Sequence, residues 1–320
     1  MEKYFKLEYS KKLTLPPAAL EAPYNRIIID DRDEGYCLEN FEVIHKFIND
    51  NNIKVPITLF SGNFAVERLY QEWLYATKNK RLIAVRSKNK HYSSLASYYK
   101  SINPNHRKSG GYTNYIKKHF YCCLNNRQHD HRCETLVYLN HLNLIDKGLV
   151  SFRQLKKDTH TDFTQRAAKS PFSKEFRQET EKLLPLHLDF EFHEDPIHYS
   201  KPFNFNKKIY SSLINLTTET LYYDPGMFLT EKTWKPFFAK QVLIMIGQKN
   251  SLKWIRDKGF KTFNYIIDES YDQLEDDKRL YAAIDQLHML HEKYTLDELN
   301  AITGKTRRYN YNHALRLQNV

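Results

Sequence analysis

From Arg26 onward the chain alternates short apolar runs with longer stretches whose apolar residues recur at helical spacing, the pattern of repeated strand-helix-strand units. In the first half this predicts strands over residues 26–30, 57–60 and 82–85. A helix over 39–49 keeps Phe41, Ile44, Phe47 and Ile48 on one face, and a second runs from a cap at Asn63 to residue 76. Residues 100–114 carry proline, paired glycine and no periodicity, so the first domain is expected to occupy residues 1–115. The second half predicts strands over 120–124, 148–152, 209–216, 242–246 and 260–263, with helices over 131–142, 231–239 and from Ser251 to Gly259. These elements make a second domain over 116–275. Residues 276–320 read as a helical extension with a basic end, Lys305, Arg307 and Arg308, expected to pack across both domains. Parallel sheets carry ligands at the carboxyl ends of their strands, which directs attention to the loops after Leu124, Leu216 and Gly247.

Composition narrows the class. Hydrophobic residues make up 41% of the 320 and charged residues 27%, and 9 Gly with 11 Pro exclude a collagen-like or low-complexity polymer. The longest aliphatic stretch, Val242–Ile246, is far short of the ~20 residues of a membrane span. The amino terminus, MEKYFKLEYS, lacks the apolar core of a signal peptide, so a soluble cytoplasmic protein is expected. Four cysteines, none in CxxC spacing, read as reduced packing residues. The 49 Lys+Arg against 38 Asp+Glu give a net charge of +11, which fits an anionic partner such as nucleic acid, phosphate or nucleotide. Abundant Lys, Asn, Ile and Tyr equally fit an AT-rich coding sequence. The 14% aromatic content, including 23 Tyr, suits both a core and a cleft that stacks on bases or sugars.

The phosphate loop of P-loop NTPases, the GxGxxG fingerprint and HExxH are absent, which sets aside ATP hydrolysis, dinucleotide redox chemistry and zincin proteolysis. The segment ETLYYDPGMFLTEK, from Glu219 to Lys232, stands out instead. Thr230 can cap a helix whose first-turn N–H groups receive phosphate oxygens, and Lys232 adds positive charge. Glu231 or Glu219 is suited to accepting the paired hydroxyls of a ribose. The same residues also read as an ordinary capped helix start with a solvated Glu-Lys pair.

Leu216, Glu219 and Thr220, followed by Phe228-Leu229-Thr230-Glu231-Lys232 and then 242–247, resemble the donor-binding signature of α-1,3-fucosyltransferase-like enzymes. Upstream, Asn125, Arg127, His131 and Arg132, with Asp146-Lys-Gly-Leu beyond the next helix, resemble that family's first donor-domain unit and its phosphate-binding arginine. Residues 252–272 are similar to short phage-encoded glycosyltransferases, so the resemblance spans 120–272. It departs from the family at Thr220, where an asparagine is usual. The resemblance implies a GT-B fold, two Rossmann-like domains facing across a cleft. It also implies a UDP- or GDP-sugar donor and no permanently bound cofactor or metal. Arg132 and Lys232, with Asn125, Arg127 and Thr230 beside them, would hold the diphosphate, Glu231 the ribose, and Glu219 would approach the sugar.

The expected chemistry is displacement at the anomeric carbon. An acidic run at the end of the first strand, Asp30 to Glu34, reads as a source of the general base, Glu34 or Asp31, or as a solvated acidic turn. His129 and His131 could chelate a metal, but no carboxylate or cysteine cluster stands at matching spacing. The acceptor expectation is a hydroxymethylated base in phage DNA. It is reached over a basic rim of Lys88, Lys90, Arg107, Lys108, Lys117 and Lys118, with Tyr92, Tyr98 and Tyr99 as stacking partners. A surface or lipid-linked glycan is the alternative acceptor. A non-catalytic nucleic-acid-binding protein is the rival from another class, accounting for the charge but not for the 230–232 signature.

Overall fold

The computed structural model describes residues 26–32, 35, 38–80, 82–89, 116–153, 162–188 and 210–317, together with the backbone of 2–6. The chain divides into two compact units, one of residues 1–91 with 224–229, the other of 92–223 with 230–320. Each is an α/β unit on a four-stranded sheet whose paired strands are all parallel, so the expected class of two Rossmann-like parallel-sheet bodies is the observed one.

In the first unit β1 (Glu2–Lys6), β2 (Arg26–Asp31), β3 (Ile57–Ser61) and β4 (Ala84–Ser87) lie side by side in chain order. Helices α1 (Leu38–Asp50) and α2 (Val66–Thr77) follow β2 and β3. The helical spacing of Phe41, Ile44, Phe47 and Ile48 does what it predicts. All four are buried with Leu69, Tyr70 and Trp73 of α2 against Ile27, Ile29, Leu59 and Val85 of the sheet. Each such aliphatic side chain contributes about 1.5–3 kcal/mol on leaving water. The Tyr70 hydroxyl, inside that core, accepts the Ile83 N–H at 3.1 Å and pairs with His45 Nε2 at 3.0 Å.

The second unit begins with β5 (His119–Asn125), α3 (Asp130–His141), β6 (Leu149–Phe152), α4 (Phe163–Arg166) and α5 (Lys174–Glu181). It continues through β7 (Ser212–Thr218), α6 (Glu231–Phe238), β8 (Val242–Ile246), α7 (Ser251–Asp257), α8 (Asp276–Lys293) and α9 (Leu296–Arg316). Its strand order is β6-β5-β7-β8. The chain therefore leaves β5 toward one edge and returns at β7 to build toward the other, and the reversal falls between β5 and β7. All five residues of β8 are buried, as expected of a strand covered on both faces.

Three expectations change. Residues 260–263 form no strand, because their backbone is claimed elsewhere: the Asn310 side chain exchanges hydrogen bonds with the N–H and C=O of Lys261, and Glu269 accepts the Phe263 N–H. The two phenylalanines there are buried by packing, with Phe260 stacked on Phe237 at 4.3 Å. The carboxyl-terminal helices belong to the second unit, α8 packing on β8 and α3 and α9 on α6. Residues 224–229, flanked on both sides by the second unit, belong to the first.

Candidate functional site

The reversal between β5 and β7 places two strand ends side by side, the position where open parallel sheets hold ligands. Asn125 closes β5 and Thr218 closes β7, and the Thr218 hydroxyl donates to Asn125 Oδ1, tying the two ends together. Arg127, two residues beyond Asn125, is exposed. Arg132, on the first turn of α3, is buried and donates to the carbonyls of Thr218 at 3.3 Å, Glu219 at 3.2 Å and Arg127 at 3.4 Å. Its Nε is buried without a hydrogen-bond partner among the described residues.

Glu219 has a different role from the expected one. It is 1% exposed, and its carboxylate accepts five donors: the N–H groups of Thr220, Thr230 and Thr233 and the hydroxyls of Thr230 and Thr233. A helix start attracts negative charge, and here the protein supplies its own carboxylate. The first-turn N–H groups expected to receive phosphate are thus engaged, that of Thr233 by Glu219 and that of Lys232 by the Thr230 hydroxyl at 3.3 Å. Glu219 is turned inward as the anchor of α6 rather than outward to a sugar.

Lys232 is the partly exposed cation of this edge, its side chain 29% exposed. The ammonium lies 3.2 Å from Thr220 Oγ1, 3.1 Å from Thr230 Oγ1 and 3.1 Å from Glu231 Oε1. Glu231 is buried, so the pair is held together rather than solvated. Two histidines register the local field. Burial, then Arg132, Arg127 and Lys232, lowers His129 to about 4, and burial with Arg132 holds His131 well below the usual imidazole range. Both rings are neutral at pH 7, and His131 donates from Nε2 to the Glu219 carbonyl at 2.8 Å while stacking on Tyr222. Among the described residues no group of His, Cys, Asp or Glu is arranged to hold a metal.

In the first unit, Asp31 ends β2, is buried, and accepts a hydrogen bond from Asn40 at 2.9 Å. Its neighbour Asp30 is paired with Arg32, whose Nε donates at 2.6 Å. Lys88 follows β4 at the same end of that sheet, its ammonium 5.8 Å from the Phe60 ring. Residues 224–229 are bound at this end too. Asn63 Oδ1 accepts the N–H groups of Ala65 at 2.9 Å and Met227 at 3.1 Å, while its Nδ2 donates to Gly35 O at 2.9 Å. Asn89 Nδ2 donates to Gly62 O at 3.0 Å and Leu229 O at 3.1 Å. Gly226 takes φ 103°, a left-handed backbone that favours glycine. Asn63, expected as the cap of α2, accepts the Ala65 N–H just ahead of that helix instead of capping it, and its bond to Met227, like that of Asn89 to Leu229, was not legible because nothing local shows a partner more than a hundred positions away.

Two members of the expected basic rim are elsewhere. Lys117 and Lys118 precede β5 and so lie at the amino end of its sheet, roughly 20 Å of strand from Asn125. Lys117 Nζ donates to Tyr210 O at 2.7 Å and Ala239 O at 3.2 Å, and burial lowers it to about 7. Glu34, Lys90, Tyr92, Tyr98, Tyr99, Arg107 and Lys108 lie outside the described residues.

No protein-family model and no curated protein matches the chain. Among solved structures it is similar to the crystal structure of an α,α-trehalose-phosphate synthase (UDP-forming) from Burkholderia vietnamiensis, at 12% identity and a TM-score of 0.42, over 93% of this chain and 71% of that one. No helix among the described residues is long and apolar enough to cross a membrane.

Proposed function

We propose that the chain is a GT-B glycosyltransferase that takes a sugar from a UDP- or GDP-sugar, with the nucleotide diphosphate held at the carboxyl edge of the β6-β5-β7-β8 sheet. The observation that carries this reading is the strand reversal, which converges Arg127, Thr220 and Lys232 beside the tied strand ends at Asn125 and Thr218. Exposed Arg127 and partly exposed Lys232 are the phosphate contacts. Buried Arg132 adds its charge from beneath, and its Nε, without a hydrogen-bond partner among the described residues, is an atom that an incoming anion would satisfy. Glu219 contributes by holding α6, and with it Lys232, at the edge. Glu231 fixes the Lys232 ammonium and remains the candidate for the ribose hydroxyls.

The transfer itself breaks the bond between the anomeric carbon and the diphosphate oxygen as an acceptor hydroxyl attacks. Arg127, Lys232 and Arg132 stabilise the charge that grows on the departing diphosphate. A carboxylate of the first unit takes the acceptor proton, Asp31 or Glu34, and Asp31 has the favourable placement at a strand's carboxyl end. The acceptor we favour is a hydroxymethylated base in phage DNA. Nucleotide release from a panel of UDP-, GDP- and CMP-sugars, with hydroxymethylated DNA or glycan as acceptor, tests the reading. Sugar transfer to the modified duplex supports it whole, transfer to glycan alone removes the DNA half, and no nucleotide release from any donor removes the enzyme.

A further inference from the structure

The outer face of α9 is made of charge. After Glu298 no acidic residue occurs to the end of the chain, and residues 258–267, which pack beside this helix, contain none either. Lys305, Arg308, Tyr309, Asn312 and Arg316 are exposed, and their spacing of three or four residues sets them in one stripe. The loop beside the stripe is tied to it: Tyr309 donates to Gly259 O at 3.1 Å, His313 Nε2 to Lys258 O at 2.8 Å, and Tyr265 to Thr306 Oγ1 at 3.1 Å. Lys261 is thereby carried alongside, its ammonium 4.3 Å from the Tyr309 ring, and Lys240 flanks the other side 4.7 Å from Tyr311. Among the described residues Lys258, Lys261, Lys305, Arg308 and Arg316 form no ion pair with a carboxylate. Burial, then Arg308 and Arg307, lowers Lys240, so like charges stand close together at this face.

We propose that this face of α9, with Lys261 and Lys240 at its sides, docks the sugar-phosphate backbone of duplex DNA. From Lys305 to Arg316 the stripe runs about 16 Å, roughly five phosphate steps along one strand. Three features choose the occupant. The helix exposes one large aliphatic side chain, Ile302, among its described residues, whereas insertion into a lipid surface needs a broad apolar face, and here the apolar side of α9 is buried on its own unit. Single-stranded nucleic acid is held by stacking bases on a run of open rings, but here a lysine lies over each of Tyr309 and Tyr311 and His313 stacks on Tyr309, which leaves Tyr265, half-exposed, as the open ring beside the helix among the described residues. What remains on offer is a rigid row of cations and amides, which suits phosphates that position a duplex without reading its sequence. The biological role of such a dock rests on the DNA-acceptor reading above; the binding itself does not.

The test is fluorescence anisotropy with a labelled 30-base-pair duplex at several salt concentrations, on the full chain and on the triple variant Lys261→Gln, Lys305→Gln, Arg308→Gln. Removal of three phosphate contacts is expected to weaken binding roughly tenfold or more and to flatten the log-log salt dependence by about 2–3. All three side chains are exposed, and an unchanged melting temperature establishes that the variant is folded. Polyglutamate and phosphatidylserine vesicles, each labelled in turn, are expected not to bind appreciably. Wild-type affinity and salt slope in the triple variant would overturn the proposal, as would absence of duplex binding by the wild type or equal binding of polyglutamate or vesicles. A UDP and GDP thermal shift on the same samples separates this outcome from the donor site: loss of the shift with duplex binding intact removes the proposed function and leaves the dock.

Discussion

Replacing Glu219 by glutamine separates the anchor role from a sugar-contacting role. The carboxylate accepts five donors while 1% exposed, including Thr230 Oγ1 at 2.7 Å, Thr230 N–H at 3.0 Å and Thr220 N–H at 3.1 Å. A hydrogen bond to a charged group contributes about 1.5–3 kcal/mol, but five sharing one carboxylate do not add. The amide keeps one oxygen and points an N–H₂ at donors that need acceptors, and Arg132 loses a charge that favoured its protonated form. We expect Glu219→Gln to cost about 2–3 kcal/mol and Glu219→Ala about 3–5 kcal/mol. Urea unfolding followed by the fluorescence of Trp234 and Trp254, both in the second unit, reads this change; at ~3 kcal/mol per molar, the glutamine variant should unfold up to about 1 M earlier. A midpoint within about 0.2 M of wild type combined with lost turnover would refute the reasoning and return Glu219 to the sugar.

The other expectations follow the same geometry. Asn63→Ala strands the N–H groups of Ala65 and Met227 and should cost about 2–4 kcal/mol in the transition reported by Trp73 of the first unit; a loss below about 0.5 kcal/mol would show that residues 224–229 are not held there. Lys117, lowered to about 7 in the folded chain against 10.5, binds fewer protons when folded than when unfolded between those values. Stability should therefore rise with pH from about 7 toward 10, by up to about 1.4 kcal/mol per unit, and Lys117→Met should abolish that slope; urea midpoints at pH 7, 8 and 9 decide it. Lys232→Ala should weaken UDP or GDP binding roughly tenfold and lower the melting temperature modestly, because buried Glu231 loses its ion pair, whereas Arg132→Ala should lower the melting temperature further, because three carbonyls lose a buried donor. Asp31→Asn should reduce turnover about 10²–10⁴-fold with donor affinity unchanged if it is the base, and normal turnover would exclude it.

The repeated strand-helix alternation was legible because it depends on local periodicity. Val242–Ile246 was read to the residue, its unbroken apolar run being what a strand covered on both faces requires. The 260–263 segment was misread because a short stretch with apolar residues at both ends marks burial, while strand pairing depends on who takes the backbone, here Asn310 and Glu269. At the site, the sequence named Asn125, Glu219, Thr230, Glu231 and Lys232, and the structure brings them together at one sheet edge. It did not reveal that Glu219 faces inward. The signal was present in Thr230 and Thr233, two hydroxyls three positions apart at a helix start, which provide a carboxylate with donors that a ligand would otherwise meet. Lys117 and Lys118 were grouped with the rim by nearness in sequence, yet a parallel strand carries its two ends to opposite edges.

The most direct measurement is the thermal shift of the wild-type chain with UDP and with GDP, beside Lys232→Ala and, as a control at the opposite sheet edge, Lys118→Ala. The account predicts that one or both nucleotides stabilise the wild type and Lys118→Ala alike, by about 2.7 kcal/mol at 100 times the dissociation constant, and that Lys232→Ala loses most of the shift at the same concentration. No stabilisation of the wild type by either nucleotide at millimolar concentration, or an undiminished shift in Lys232→Ala, would contradict it.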